Sequence, residues 1–230
     1  MDYLVSIIIP AYNEEKTLQE IIGKVYDTDI EKEIIVVNDG SQDNTSLILD
    51  KIKIRYGLKI INLEKNYGKG YAIRKGIEQS KGTIILTQDA DLETDPSEYK
   101  KLLGPIFEGK AKVVFGSRFL GSIKNMNKFN FLGNKLITML ANTLYGIRIT
   151  DEATAYKVFL KEILEKENIE LKSNRFEICA ELVAKIAKKK YKILEVPISF
   201  IGRNKNEGKK LRLRDGFLSV WTLIKYRVSD

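Results

Sequence analysis

Asp89, Asp91 and Glu93 occupy alternate positions in Thr87-Gln88-Asp89-Ala90-Asp91-Leu92-Glu93, directly after an apolar run. In extended backbone, side chains at such spacing share one face. Carboxylates gathered on one face repel until a proton or a cation relieves them. The chain has no histidine and a single cysteine, Cys179. Any metal must therefore sit on oxygen ligands, which suits Mg2+, Mn2+ or Ca2+. Such a cation takes anionic ligands on its far side, typically a diphosphate. The same residues would also serve as a solvated acidic turn ahead of the helix that Pro96 opens. Lack of histidine further excludes a Ser-His-Asp triad, an imidazole base and His-ligated zinc or haem. One cysteine excludes an internal disulfide.

Three other polar clusters follow apolar runs. Pro10-Ala11-Tyr12-Asn13-Glu14-Glu15 closes the first run and opens a helix, a pattern that ordinary capping also produces. Val37-Asn38-Asp39-Gly40-Ser41 closes the second. Asp39 there suits a base N–H or a ribose hydroxyl, and equally an Asx-turn. Asn66-Tyr67-Gly68-Lys69-Gly70 follows the third. A dinucleotide fingerprint is ruled out because Ile73 stands where the third glycine belongs, and a P-loop because no Lys-Ser/Thr follows. The cluster reads as a backbone turn that brings Lys69 near a site, or as a plain helix start.

The elements that must position these groups alternate in type. Val5–Ile9, Glu33–Val37, Leu58–Leu63, Thr83–Thr87 and Ala111–Phe115 read as buried strands. Glu14–Tyr26, Thr45–Tyr56, Tyr67–Ser80 and Pro96–Phe107 have helical spacing. Such alternation predicts an α/β layer with a mostly parallel sheet, which binds ligands beyond the carboxyl ends of its strands. In the second half Gly116–Asn130 reads as a polar loop, Phe131–Tyr145 as a helix, and Ala153–Leu160 and Lys192–Phe200 as strands around the helix Arg175–Lys189. Gly202–Arg214 reads as a basic loop and Asp215–Arg227 as a closing amphipathic helix. With no repeat or linker, residues 1–230 read as one domain: a nucleotide-type half, 1–116, and an elaborated half, 117–230.

The net charge of +8 favours polyanionic partners or a solvated basic surface. No helix carries a basic stripe interleaved with aromatics, so nucleic acid is not expected. Neither a signal peptide nor an apolar run near the roughly 18 residues of a membrane span is present. The expected location is cytoplasmic; Phe131–Tyr145 and Asp215–Arg227 each pair an apolar face with Lys or Arg, as helices in peripheral contact with a membrane surface do, although such helices more often pack on their own domain.

Taken in order, the clusters resemble family 2 glycosyltransferases with the GT-A fold, a Rossmann-like, mostly parallel central sheet flanked by helices. Gly116-Ser117-Arg118-Phe119, Thr150-Asp151-Glu152-Ala153-Thr154-Ala155-Tyr156-Lys157, Phe176-Glu177 and Glu195–Phe200 through Arg203 look like the dolichol-phosphate mannosyltransferase branch. That resemblance implies inverting transfer of a hexose from a nucleotide-diphosphate sugar, of GDP-mannose or UDP-glucose type, to a polyprenyl phosphate. It implies donor binding by Pro10, Tyr12, Glu14, Asp39, Lys69, Asp89, Ala90, Asp91 and Arg203. Asp89 and Asp91, with Glu93, would hold Mg2+ or Mn2+. Arg118, Arg203, Lys209 and Lys210 would hold the acceptor phosphate, and Asp91, Asp151 and Arg118 would be the catalytic groups. A saccharide hydroxyl acceptor would instead need a general base, for which Asp151 is the candidate. The chain departs from the branch at Asn38, Ala155 and Glu207-Gly208-Lys209-Lys210-Leu211.

Overall fold

The computed structural model describes residues 3–203 and 213–229. In chain order the elements are β1 (Val5–Ala11), α1 (Leu18–Tyr26), β2 (Lys32–Asn38), α2 (Thr45–Tyr56), β3 (Lys59–Asn62), α3 (Lys69–Glu78) and β4 (Ile84–Thr87). One turn of 3-10 helix at Pro96–Glu98 then leads into α4 (Tyr99–Phe107). The second half contributes β5 (Val113–Lys124), α5 (Lys128–Tyr145), β6 (Lys157–Leu160), α6 (Glu162–Lys166), α7 (Ile178–Lys188), β7 (Ile193–Ile201) and α8 (Leu213–Val228).

The strands form one seven-stranded sheet in the order β3-β2-β1-β4-β6-β5-β7. β1, β2, β3 and β4 run parallel, and β5 runs parallel to β7. Only β6 is reversed, antiparallel to both β4 and β5. Alternation within β1 splits the core. Ile7 and Ile9 face a layer with Leu18, Ile21, Leu102 and Leu103, whereas Ile8 faces a layer with Ile73, Ile77 and α7. A strand buried on both faces needs an unbroken apolar run, which is what Val5–Ile9 supplies.

Two expectations fail here. Gly116–Asn130 is not a loop: β5 continues through Lys124 and α5 starts at Lys128. The glycines in this stretch mark close packing. A Cβ on Gly121 would sit 2.0 Å from the Ile198 carbonyl oxygen, and one on Gly116 would sit 2.8 Å from Ile198 Cγ2. A strand that must pass so close to β7 needs glycine, and glycine mimics loop composition. The strand expected at Ala153–Leu160 is the shorter β6. Before it, Asp151–Tyr156 form irregular backbone along the cleft described next.

Candidate active site

A cleft of about 690 Å³ opens at the carboxyl edge of β1, β2 and β4. Pro10, Tyr12 and Glu14 enter it from the end of β1, and Asp39 from the end of β2. Lys69 enters from the first turn of α3, and Asp89, Ala90 and Asp91 from the turn after β4. Arg118 of β5 and Arg203, just beyond β7, complete this set. All the residues expected to bind the donor thus line one cleft. Lys209 and Lys210 lie outside the described residues.

The loops after β1 and β2 are laced together. The Asn13 N–H donates to Ser41 Oγ at 3.0 Å, Glu14 N–H to Thr45 Oγ1 at 3.0 Å and Glu15 N–H to Asp43 Oδ2 at 3.2 Å. Ser41-Gln42-Asp43-Asn44-Thr45 therefore satisfies backbone donors of the neighbouring loop as well as opening its own helix. Asp39 ties down a third loop. Its Oδ1 accepts from Tyr67 N–H at 2.8 Å, and its Oδ2 from Gly68 N–H at 2.8 Å and Asn66 Nδ2 at 2.9 Å. Burial raises its pKa, against these N–H donors and the charge of Arg175. Asp39, expected to meet the base, has most of its acceptor capacity committed to residues 66–68.

The carboxylates after β4 do not lie in extended backbone. β4 ends at Thr87, and Leu92 takes a left-handed φ of 61°. That conformation costs a non-glycine residue about 1–2 kcal/mol. The turn directs Asp91 inward, with its Oδ1 accepting from Glu93 N–H at 3.1 Å. Burial, then the charges of Asp89 and Glu93, push the Asp91 pKa up to about 7 against the pull of Arg203. Each cleft carboxylate has a cationic neighbour. Lys69 Nζ lies 2.6 Å from Asp89 Oδ1, and Arg203 lies 2.8 Å from Asp91 Oδ2 and 3.2 Å from Glu14 Oε2.

Asp89 and Asp91 offer a crowded pair of hard oxygen ligands, which fits a divalent cation completed by ligand oxygens. Glu93 does not join them as expected: its Oε1 accepts from the Arg203 backbone N–H at 2.9 Å. No group of three histidine, cysteine or acidic side chains converges on a metal position among the described residues. The turn at Leu92 breaks the common face that the alternate spacing implied.

Asp151 is also placed differently from a base. It is fully buried behind Arg118 and does not line the cleft. Arg118 Nε donates to Oδ2 and Nη2 to Oδ1, both at 2.7 Å, and the Arg118 backbone N–H adds a third bond at 3.0 Å. Burial works against the Arg118 charge, and Asp151 more than offsets it, so the arginine pKa is raised. Both Asp151 oxygens are engaged by the arginine, and neither lies on the cleft lining where an acceptor hydroxyl would sit.

Residues 6–167 match the family described as Glycosyl transferase family 2. The chain belongs to this family. A UDP-N-acetylglucosamine--dolichyl-phosphate N-acetylglucosaminyltransferase of Methanococcus voltae is 29% identical, over 99% of this chain and 97% of that protein. A dolichol-phosphate mannosyltransferase of Pyrococcus furiosus is 32% identical, over 89% of this chain and 58% of that protein. Among solved structures, glucosyl-3-phosphoglycerate synthase from Mycobacterium tuberculosis, in complex with Mn2+, UDP and phosphoglyceric acid, superposes with a TM-score of 0.74. That match covers 98% of this chain and 79% of the other at 18% identity, a likeness of fold, and the fold is the expected GT-A type.

Sequence reasoning missed other parts of this glycosyltransferase's cleft. Gln88 is fully buried beneath the carboxylate turn. Its Oε1 accepts from Tyr99 at 2.7 Å and from Tyr156 at 2.8 Å, while its Nε2 donates to the Asp89 carbonyl at 2.8 Å and to Thr94 Oγ1 at 3.2 Å. A polar residue closing an apolar strand was the available signal. Met126, Asn130 and Asn134 bring the start of α5 to the cleft rim, and Arg214 reaches it from α8.

Proposed function

We propose that this family 2 glycosyltransferase transfers a hexose from a nucleotide-diphosphate sugar to a polyprenyl phosphate. The observation that carries the acceptor is the buried Arg118–Asp151 pair. On that side the cleft presents a fixed arginine, and its nearest carboxylate is withdrawn from it. Such a wall suits an acceptor that arrives already ionised. A phosphate monoester, with its second ionisation near about pH 6, needs cations to hold it and no base to activate it. The alternative acceptor, a saccharide hydroxyl with Asp151 as base, is disfavoured by the same pair. The relatives named for dolichyl-phosphate and dolichol-phosphate support the lipid reading.

Pro10, Tyr12 and Glu14 wall the nucleoside, and Lys69 stands beside the diphosphate. Asp89 and Asp91 would hold Mg2+ or Mn2+, which when bound neutralises charge on the departing nucleoside diphosphate. An oxygen of the acceptor phosphate attacks the anomeric carbon from the face opposite the leaving group. The new C–O bond forms as the bond to the diphosphate breaks, its electron pair leaves with the diphosphate oxygen, and the configuration inverts. Arg118 and Arg203 orient the incoming phosphate.

Contact with an anionic membrane surface belongs to this reading. α5 exposes Phe129, Leu132, Leu136 and Met139, and α8 exposes Phe217, Trp221 and Ile224. The two helices touch, with Tyr145 donating to the Leu223 carbonyl at 2.6 Å, and both reach the cleft rim. No described helix is long and apolar enough to cross a membrane.

The test is transfer of radiolabel into the organic phase. Purified protein is mixed with Mg2+ or Mn2+, a polyprenyl phosphate, and GDP-mannose, UDP-glucose or UDP-GlcNAc in turn. Label extracted with the lipid for one donor establishes both acceptor and sugar. Release of nucleoside diphosphate with no labelled lipid discards the acceptor.

A further inference from the structure

Arg175 enters the cleft from a segment whose backbone is held on every side. Glu177 Oε1 accepts from the N–H groups of Asn174 and Arg175 at 3.2 and 3.1 Å. Glu181, fully buried on α7, accepts from Lys172 and Ser173 N–H at 2.9 and 2.7 Å. The Asn174 carbonyl accepts from Tyr71 N–H at 3.0 Å, in the first turn of α3. The two glycines of Gly68-Lys69-Gly70 make this approach possible. A Cβ on Gly68 would sit 2.4 Å from the Asn174 carbonyl oxygen, and one on Gly70 would sit 2.6 Å from that of Ser173. The glycines that suggested a nucleotide fingerprint thus seat residues 173–175 against α3.

What this mount presents is a guanidinium with donors to spare. Lys69, Arg118 and Arg203 each pair with a carboxylate at 2.8 Å or less. Arg175 differs: its Nε lies 3.6 Å from Asp215 Oδ1 on α8, beyond hydrogen-bond length, and is buried without a hydrogen-bond partner. Among the described residues its side chain makes no hydrogen bond, though it lines the cleft and its charge reaches Asp39. A planar fork of donors, fixed at its root and open at its tip, matches phosphate geometry. A fixed backbone leaves only the side chain to be ordered on binding.

We propose that Arg175 is a substrate-binding residue that donates to a phosphate oxygen in the cleft. Asp215 backs the guanidinium, and the Gly68/Gly70 turn with Glu177 and Glu181 aims it. The phosphate belongs to the donor diphosphate or to the lipid acceptor. That choice rests on the functional reading above, whereas the anion site does not.

Titration calorimetry with Mn2+ present compares the full chain, Arg175→Gln and Arg175→Lys against pyrophosphate, UDP and GDP. Both variants keep the backbone mount, and equal melting temperatures check this. Loss of a charged hydrogen bond should weaken the Gln variant about tenfold for pyrophosphate and for whichever nucleotide binds, with Lys between. If the phosphate is the lipid's, those affinities hold and the KM for polyprenyl phosphate rises about tenfold instead. All affinities and that KM within about twofold of the unsubstituted chain would overturn the proposal, since a charged contact is worth more than that. No binding of pyrophosphate or nucleotide by the unsubstituted chain, together with a KM for polyprenyl phosphate that Arg175→Gln leaves unchanged, would overturn it too. Pyrophosphate binding that the Gln variant loses, with no nucleotide bound and no sugar transferred, would sink the functional reading and keep the anion site.

Discussion

Arg118 and Asp151 meet through two parallel hydrogen bonds of 2.7 Å, with Asp151 fully buried and Arg118 at the cleft wall. The carboxylate fixes the arginine, and the arginine lines the cleft. Removing one partner of a buried pair strands the other charge and costs about 3–5 kcal/mol. Asp151→Asn should lower stability in urea melts by an amount near the low end of that range. Its KM for polyprenyl phosphate should rise more than its KM for the sugar donor. A base lost from a hydroxyl-directed enzyme would instead depress kcat with both KM values held.

Asp89→Asn and Asp91→Asn should each abolish metal-dependent nucleotide binding, read by calorimetry with and without Mn2+. The raised pKa of Asp91, about 7, adds a pH dependence. Below that pH a protonated Asp91 would be a poorer ligand for the proposed cation. Mn2+-dependent UDP or GDP affinity in the unsubstituted chain should therefore fall between pH 8 and pH 6, roughly tenfold per unit below the pKa.

Glu152 gives a second pH effect with no ligand involved. Burial, aided by Asp151 and opposed by Lys157 and Arg118, pushes its pKa up to about 7, and its Oε1 has no hydrogen-bond partner. The folded state holds a proton there that the unfolded chain releases near the ordinary glutamate value of 4.5. Stability should then decline as pH rises from that value towards 7. Glu152→Gln should flatten the decline and melt higher than the unsubstituted chain at pH 8.

Gln88→Leu should cost about 2–4 kcal/mol, because the buried hydroxyls of Tyr99 and Tyr156 lose their shared acceptor. The carboxylate turn also loses its tie to the strand below. The Mn2+ concentration giving half-maximal activity should rise, while the KM for the lipid phosphate should not. Equal effects on both would argue for general unfolding.

Trp221 is the single tryptophan and is 62% exposed on α8. Its emission should shift to shorter wavelength on anionic vesicles at low salt. Phe217→Ser, on the same exposed face, should reduce vesicle sedimentation without altering calorimetric binding of the nucleotide.

The first half of the fold was legible because its strands are buried on both faces and punctuated by capping residues. Ile7, Ile8 and Ile9, closed by Pro10, read as such a strand, and Ser41 to Thr45 read as a helix opening, though not as the acceptors they also offer to the loop after β1. The acidic cluster was legible as a site, but not in its geometry, since a left-handed Leu92 leaves no mark in composition. Asp151 was legible as a candidate but not its pairing: spacing says nothing of the arginine packed over it. Arg175 was hidden for a related reason. Its partners, Gly68 and Gly70, lie about a hundred residues away, and glycine records a close approach without naming what approaches.

The join between β4 and β6 spans three residue pairs, Ile84 with Leu160, Ile85 with Phe159 and Leu86 with Val158. These partners are separated by more than 70 residues, and through them the early parallel strands meet the late ones. Closing a loop of that length is slow compared with winding the local strand–helix units on either side. The cleft draws walls from both sides of this seam, so it is completed only when the seam shuts. A nascent chain released at residue 116 would carry Asp89 and Asp91 with half their surroundings missing, and nothing yet worth binding.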